Sequence, residues 1–392
     1  MKKTMIGIAL LFLATFSPAL ALPAGAMVDE AIFEQVQGEV KVLGADSAVR
    51  PAQAGMLVQG GEIIETGAKS SARILLPDES VLELKESTRI ELNDSRENAR
   101  GISSVLLYLG RMWGDIAKNL DGDTTFEVVT PSAVAGIRGT IFSAGVGMDG
   151  ETRVGVEEGV VEVAGETGSV AVAADQETTV ELGAAPRPAS PYRRGEDQWR
   201  QWANARQQAI MSKADLLPER LMKNIEEPRQ RFIAQAEEMK RLQKRWQMYE
   251  RRQQRQGRPV QATPAVKREA ARQMREMFVA AKRLQRADNR MAASYFLVQR
   301  LDRDAQAHPD QYSPELRRKV QETAKKLDAM DLGKIHRQNL AMLDKYAEGL
   351  EQVVSKWNLN PELKRKIEAG RRQGKLKELQ RQRTEKQLKQ KQ

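Results

Sequence analysis

The chain divides near residue 186 into two halves whose compositions favour different secondary structures. Residues 1–186 hold 22 of the 28 glycines and carry 14 Lys and Arg against 27 Asp and Glu. Residues 187–392 carry 49 Lys and Arg against 26 Asp and Glu. Glycine with Val and Thr is typical of strands and turns, whereas Arg, Gln, Lys, Met and Ala favour helices. We therefore predict an α+β protein with segregated domains, an acidic all-β domain followed by a basic all-α region.

The predicted organisation has four parts. Residues 1–21 are a signal peptide, residues 27–184 the all-β domain, residues 185–195 a Pro-rich linker, and residues 196–392 a helical bundle with an extended coiled coil.

The amino terminus has the pattern of an export signal. Lys2 and Lys3 precede an apolar stretch from Met5 to Phe16, and small residues allow cleavage after Ala21 or Ala26. We expect a periplasmic or otherwise exported protein with no integral membrane segment after cleavage, since no later apolar run is long enough to span a bilayer. An uncleaved anchor is the alternative. The absence of cysteine excludes thiol catalysis and cysteine metal sites.

Short alternating strands at about ten-residue spacing are typical of a sandwich, roll or solenoid. The predicted strands are Ile32–Val42, Glu62–Thr66, Ala72–Leu76, Val81–Leu84, Arg89–Leu92, Val105–Leu109, Arg111–Ile116, Thr125–Val129, Ile137–Ala144, Thr152–Val156, Val160–Val163 and Glu177–Leu182.

The stretch Phe126-Glu-Val-Val-Thr130-Pro131-Ser-Ala-Val-Ala-Gly136-Ile-Arg138-Gly139-Thr140-Ile-Phe142 is the most specific pattern in this half. Pro131 lacks an amide donor and should end a strand there. Gly136 and Gly139 predict a bulge, a positive φ angle or a close backbone approach. Arg138, among apolar neighbours, must reach water or find a carboxylate, and we favour a hydrogen-bonding role that locks the strand over ligand binding.

This stretch resembles the signature of the FecR domain family, and the resemblance covers roughly residues 34–182. Supporting strings are Gly38-Glu-Val-Lys-Val, Gly60-Gly-Glu-Ile-Ile-Glu-Thr66, Leu76-Pro-Asp-Glu-Ser-Val-Leu-Glu-Leu84, Leu109-Gly110-Arg-Met-Trp113 and Val156-Glu-Glu-Gly159-Val-Val-Glu-Val163. The matching positions, to which we assign structural roles, are Thr130, Pro131, Gly136, Arg138, Gly139, Thr140, Phe142 and Gly159.

The resemblance implies an all-β extracytoplasmic module. In the best-known members this module senses an outer-membrane transporter and passes the signal through one membrane helix to a cytoplasmic sigma factor. Because neither a cytoplasmic amino-terminal domain nor a retained membrane helix is predicted here, we expect only the binding character of the module to carry over.

The second half shows helical stripes. The series Ala270, Met274, Met277, Ala281, Leu284, Asp288, Met291, Tyr295 and Val298 predicts a seam that Asp288 interrupts, and further stripes cover 232–249, 316–327 and 335–357. Thr263-Pro264, Ser313-Pro314 and Asn360-Pro361 predict helix starts, each with a cap followed by proline. Four or five helices are expected, with self-association through them as one use.

The sequence predicts neither a catalytic site nor a metal or cofactor site. His308 and His336 lack neighbouring ligands, so neither a metal nor a cofactor is predicted, and turn chemistry explains Asp121, Asp123, Asp149 and Glu151 better than calcium binding does. No pair of carboxylates or serine with a nearby His suggests an enzyme.

We therefore predict a non-catalytic periplasmic module that binds or scaffolds at the cell envelope, with an envelope protein or an anionic envelope polymer as partner. The alternative is a membrane-anchored regulator of envelope signalling, which needs a retained amino-terminal anchor. Nucleic acid binding through the basic helical half would require that the amino-terminal stretch is not an export signal, so we do not expect such binding.

Overall fold

The computed structural model describes residues 30–44, 48–94, 102–118, 126–212, 218–227 and 264–330, with isolated helical positions between 230 and 252. The predicted signal peptide, Asp121, Asp123, His336, the stripes at 232–249 and 335–357 and the start at Asn360-Pro361 lie outside these ranges. Within them, an all-β part is followed by helices, which confirms the segregated α+β class.

The β part consists of short strands joined mostly by tight turns. They are β1 (Ala31–Gln37), β2 (Val40–Leu43), β3 (Val49–Pro51), β4 (Leu57–Val58), β5 (Ile63–Thr66), β6 (Ser71–Leu75), β7 (Val81–Leu84), β8 (Arg89–Asp94), β9 (Ile102–Ile116), β10 (Phe126–Val129), β11 (Val134–Ile137), β12 (Thr140–Val146), β13 (Thr152–Glu158), β14 (Val160–Ala164), β15 (Ser169–Ala173), β16 (Gln176–Val180) and β17 (Ser190–Pro191).

The described strands form two sheets that share β9. The first sheet has the order β4-β1-β6-β7-β9-β12-β13-β16-β17, and the second has the order β3-β2-β5-β8-β9-β10-β11-β14-β15. Alternate residues face a common core, as in β7, where Leu82 and Leu84 are buried and Val81 and Glu83 are half-buried.

Strand β9 crosses from one sheet to the other at Gly110. Before Gly110 it pairs with β8 and β10, and from Gly110 onward it pairs with β7 and β12. Gly110 has a φ of +92°, and a Cβ there would lie 2.5 Å from the Cα of Thr88. The two predicted strands Val105–Leu109 and Arg111–Ile116 are therefore one bent strand, because glycine allows the backbone to turn without breaking the ladder.

Two other strand predictions were wrong in the opposite sense. Ile32–Val42 is divided into β1 and β2, and Ile137–Ala144 is divided into β11 and β12. In the second case Gly139, at a φ of +55°, turns the chain between the two sheets. Four short strands (β3, β4, β15 and β17) were missed, and β17 belongs to the stretch predicted as a linker.

The helices pack on one another and on the β part. They are α1 (Glu196–Ser212), α2 with its described residues 218–227, α3 (Pro264–Ala307) and α4 (Pro314–Ala329), with a 3-10 turn at Pro309–Gln311 between α3 and α4. Ser313 caps α4 by accepting a hydrogen bond from the amide of Leu316, as predicted. The predicted stripe of α4 is buried: Leu316, Val320, Ala324 and Leu327.

Helix α3 is continuous through the predicted seam. Met291 and Val298 are buried within it, and Asp288 is buried as well, with only 5% of its surface exposed. The helical core gathers residues from all four helices and reaches Leu182 of the β part. No helix within the described ranges is long and apolar enough to cross a membrane.

The bend in β9 should be the least tolerant position of the β part. Gly110→Ala adds a Cβ that meets the Thr88 backbone, so we expect a loss of about 3 kcal/mol or more in the free energy of unfolding, measured by urea denaturation. The matched control is Gly61→Ala, whose φ is +85° but whose Cβ would meet nothing within 4 Å. This control should lose only about 1–2 kcal/mol, and equal losses would contradict a role for close packing at Gly110.

Candidate functional site: the motif turn beneath the helices

The turn between β10 and β11 comprises residues 130–133 and is called the motif turn below. It is closed by its own side chains and is buried. Thr130 donates its amide to the carbonyl of Ala133 at 2.9 Å, and its Oγ1 accepts the amide of Ala133 at 2.8 Å. Thr130, Ser132 and Ala133 are each at most 1% exposed. Strand β10 ends at Val129, directly before Thr130 and Pro131, so this strand ends where the sequence predicted.

A hydroxyl group from a distant strand completes the turn. Oγ1 of Thr152, on β13, lies 2.7 Å from Oγ1 of Thr130 and 2.7 Å from Oγ of Ser132. All three hydroxyls are buried, and that of Thr152 is hydrogen-bonded to each of the other two. Because these buried oxygens are already engaged in hydrogen bonds, they stabilise the turn and are poorly placed to act as nucleophiles.

Helices α2 and α3 cover the outside of this turn. Asn224 of α2, which is buried, donates from Nδ2 to the carbonyl of Pro131 at 2.9 Å and also to Oγ of Ser294 on α3. Arg290 of α3 reaches the carbonyls of Pro131 and Ser132 at 3.4 Å each. The carbonyls that the turn leaves unused are therefore satisfied by helical side chains.

Arg290 also pairs with a carboxylate of the β part. Its Nη1 lies 2.9 Å from Glu166, in the turn between β14 and β15, and the two side chains are only 12% and 11% exposed. Arg286, one helical turn earlier, lies 2.6 Å from Glu127 of β10. The Arg290–Glu166 pair is nearly buried, so each charge needs the other and the pair holds α3 on the sheet, whereas Arg286, with 44% of its side chain exposed, adds a weaker surface pair.

The remaining contact around the turn is apolar. Ala293 of α3 packs with Leu106 and Tyr108 of β9 and with Val129 of β10. The ring of Phe296 meets that of Tyr108 edge-on, with centroids 5.3 Å apart. Tyr108 donates its hydroxyl to Glu91 at 2.6 Å, and burial together with that carboxylate raises the pKa of Tyr108 well above its usual value.

The other motif residues lie at the far end of β11 or in the core. Oγ1 of Thr140 donates to the carbonyl of Arg138 at 3.0 Å. A Cβ on Gly159 would lie 2.7 Å from the same Oγ1 of Thr140. Gly136 sits mid-strand opposite Glu127 and Glu162, and Phe142 is fully buried. The structure thus brings Arg138, Gly139, Thr140 and Gly159 together, apart from Thr130 and Pro131.

Arg138 is exposed in the turn between β11 and β12. Its backbone carbonyl, through Thr140, takes part in the turn, while its guanidinium reaches solvent, one of the two outcomes that the sequence allowed. The strand-locking role of the side chain stays a prediction.

A second helical contact covers the outer face of the first sheet. Trp199 of α1 is 5% exposed and lies between the guanidinium groups of Arg111 and Arg153, which are 5.3 and 4.4 Å from its ring centroid. A Cβ on Gly145 would lie 2.7 Å from this indole, so the glycine makes room for it. Arg153 also pairs with Glu177 at 2.6 Å, which satisfies its buried charge.

Glu151, directly before β13, is the buried carboxylate of this second contact. Trp202 donates to it at 3.3 Å and Arg206 of α1 forms an ion pair with it, while Arg206 also lies 3.6 Å from Asp149. Burial and, to a lesser extent, Asp149 raise the pKa of Glu151, although Arg206 acts in the opposite direction. Asp149 also accepts the amide of Glu151 at 3.2 Å, which is turn chemistry of the kind expected.

His308 follows α3 and its Nδ1 lies 3.5 Å from Asp304. Among the described residues no three His, Asp or Glu side chains gather into a group that could hold a metal ion.

The contacts around the motif turn are hydrogen bonds, ion pairs and packing, so the arrangement here can hold two parts of the chain together.

Sequence reasoning missed Thr152, Asn224, Arg290 and Trp199 as members of these contacts. Their partners lie 20 or more residues away in the chain, up to 159 for Arg290 and Pro131. The one available signal was the charge split, since four of the described ion pairs join an arginine on a helix to a carboxylate on the β part: Arg206–Glu151, Arg220–Glu181, Arg286–Glu127 and Arg290–Glu166. Arg111–Glu196 is the reverse case.

These features define a β domain of two sheets in which helices α2 and α3 pack over the motif turn. Residues 62–162, which include that turn, match the family model described as FecR protein, so this part of the chain is a FecR domain. The match confirms the resemblance drawn from the sequence, within the wider range of 34–182.

The chain is also similar to two crystal structures, at 1.65 and 2.50 Å resolution, of a candidate anti-sigma factor from Parabacteroides distasonis ATCC 8503. Each has 18% sequence identity, a TM-score of 0.30 and an alignment over 36% of this chain. The chain spans 63% of the length of that protein. No curated protein matches the chain.

Loss of the Arg290 guanidinium should loosen the helices from the motif turn. Arg290→Met keeps most of the side-chain volume but leaves Glu166 buried without this partner, so we expect the free energy of unfolding to fall by roughly 3–5 kcal/mol. Hydrogen exchange of the Ala133 amide should accelerate in parallel.

The matched control for that variant is Arg303→Met on the same helix. Arg303 is exposed and bonds to the carbonyl of Gln299 in its own helix, so its loss should change stability by less than about 0.5 kcal/mol. If Arg290→Met and Arg303→Met behave alike, the helices do not hold the turn.

Glu151 should make stability depend on pH in the acid range. Because its pKa in the folded protein lies above the ordinary value of 4.5, the folded state keeps a proton that the unfolded chain has released. The stabilisation that the protonated Glu151 gives to the folded state is therefore complete below pH 4.5. It is lost as the pH rises through the pKa of Glu151 in the folded protein. Glu151→Gln should remove this part of the pH dependence of the thermal midpoint, whereas Glu158→Gln, at an exposed position, should keep it. Parallel curves for wild type and Glu151→Gln would contradict the assignment.

Proposed function

We propose that the chain is a non-catalytic, exported protein of the cell envelope in which the FecR domain and the basic helical region act as one binding and scaffolding unit. The observation that carries this proposal is the attachment of the helices to the motif turn, in which Asn224 of α2 and Arg290 of α3 bind residues of the β domain. This attachment is called the seat of the helices below. Residues that match the family motif are used here to hold the helices.

The buried character of the seat supports a lasting attachment. Arg290 and Glu166 are both close to nine-tenths buried, and Ala293 is fully buried against the sheet. An interface that removes paired charges from water and adds a packed aromatic pair has the features of a domain core more than those of a brief encounter. The helices are therefore held in a fixed orientation relative to the β domain.

The chemistry of the sequence beyond the described residues suggests the partner. The stretch from Lys364 to Gln392 is rich in Lys, Arg and Gln, and in the periplasm the available anions are lipid headgroups, lipopolysaccharide and cell-wall polymers. We propose that the β domain positions this basic region toward an anionic envelope polymer or an acidic envelope protein. Self-association through the helices, with a coiled coil, is a further use of the same region.

A second candidate function is signal-sensing regulation from a membrane-anchored form. The observation that favours it is the FecR match over residues 62–162, since the resemblance implies proteins that relay envelope signals. The two functions differ in the fate of the amino terminus, because the regulator needs its apolar stretch from Met5 to Phe16 as a retained anchor.

Fractionation of the native protein separates these functions. We expect a soluble periplasmic species whose first residue, read by mass spectrometry, is Leu22 or Met27. A variant without residues 2–21 is the matched control and should stay in the cytosol. An intact Met1 in the inner membrane would overturn the scaffold in favour of the anchored regulator, and an intact Met1 in the cytosol would contradict both.

A further inference from the structure

The two sheets have four outer strands among the described residues, and three of them are poor templates for pairing. Strands β4 and β17 are two residues long, and β17 contains Pro191. Strand β3 is three residues long, ends with Pro51, and carries Arg50, which pairs with Glu62 at 2.7 Å. Short strands, proline and charge are the means by which proteins protect sheet edges.

Strand β15 lacks these protections. It runs for five residues, Ser169-Val-Ala-Val-Ala173, without proline or charge, and the described strands pair with it only through β14. Ser169, Ala171 and Ala173 are exposed, while Val172 is fully buried in the core. Val170 packs against the same core but is only partly covered.

The register shows which backbone groups of β15 face outward. The hairpin closes with the amide of Gly165 donating to the carbonyl of Gly168 at 2.8 Å, and Ala164 then pairs with Ser169 and Val163 with Val170. Because paired residues in an antiparallel ladder alternate between bonded and non-bonded positions, Ser169, Ala171 and Ala173 direct their amides and carbonyls away from β14. The amide of Ala173 agrees with this, since it donates to the side chain of Gln176 at 3.1 Å.

We propose that β15 is the seam of a two-fold dimer, in which β15 of a second copy adds in antiparallel fashion and extends the second sheet across both molecules. A two-fold axis at Ala171 places this residue opposite its own copy and Ser169 opposite Ala173. The outward groups then match one another and give roughly six backbone hydrogen bonds, for which the Gln176 side chain must release the amide of Ala173 to Ser169 of the second copy.

The side chains permit this pairing. Small, neutral groups meet at the seam, so neither bulk nor like charge opposes the approach. The added strand also covers the exposed side of Val170, which continues the core across the dimer. This seam lies outside the contacts of α1 and α3, so it does not depend on the proposed scaffold function.

Charge exchange at Ala171 tests the seam in the mature chain. Ala171→Lys and Ala171→Glu each place like charges opposite one another, and each should weaken dimerisation roughly fivefold or more in sedimentation equilibrium. A mixture of the two variants should recover the wild-type affinity as a heterodimer. Val49→Lys, on the protected edge strand β3, is the matched control and should leave dimerisation unchanged.

Three results would overturn the proposal. They are a wild-type chain that remains monomeric at high micromolar concentration, a dimer that both charged variants keep, and a mixture that fails to recover. A dimer made instead by basic helices of one copy on the acidic β part of another would dissociate with added salt, whereas the β15 seam, which has no ion pair, should not weaken.

Discussion

The bend of β9 at Gly110 is the constraint on which the other contacts depend. One strand serves both sheets, and its two halves receive the two helical contacts. Leu106 and Tyr108, before the bend, pack against α3, and Arg111, directly after it, stacks on Trp199 of α1. A break in place of the bend would remove the continuous backbone that joins the two helical contacts, leaving them connected through the common core alone.

The attachment of the helices combines long-range attraction with local fit. Opposite net charges draw the halves together but are screened by salt and specify no orientation. Orientation comes from Asn224 and Arg290, whose donors match the carbonyls of residues 131 and 132, and from the edge-on contact of Phe296 with Tyr108. The FecR motif therefore has two roles in this chain, since Thr130 closes a turn and the same turn offers its carbonyls to the helices.

Local patterns in the sequence predicted the local features of the structure. The alternation of Val81–Leu84 and the Ser313-Pro314 cap depend on neighbouring residues, and both are found as expected. At Gly110 local information was insufficient, because a glycine between two apolar runs is equally consistent with a turn and with a bend. The pairing of Thr130 with Thr152 spans 22 residues and that of Asn224 with Pro131 spans 93, so no periodicity could show either. The seat of the helices is a tertiary feature that only the folded chain contains.

The length of α3 has a mechanical consequence. The helix comprises 44 residues, and Arg286, Arg290 and Ala293, which seat it on the β domain, all lie in its carboxyl-terminal half. Its first residue, Pro264, is therefore about 33 Å from that seat along the helix axis. Over that length, a tilt of about 10° at the seat corresponds to a displacement of about 6 Å at Pro264. The length of the helix therefore magnifies any tilt that arises at the Arg286 and Arg290 pairs.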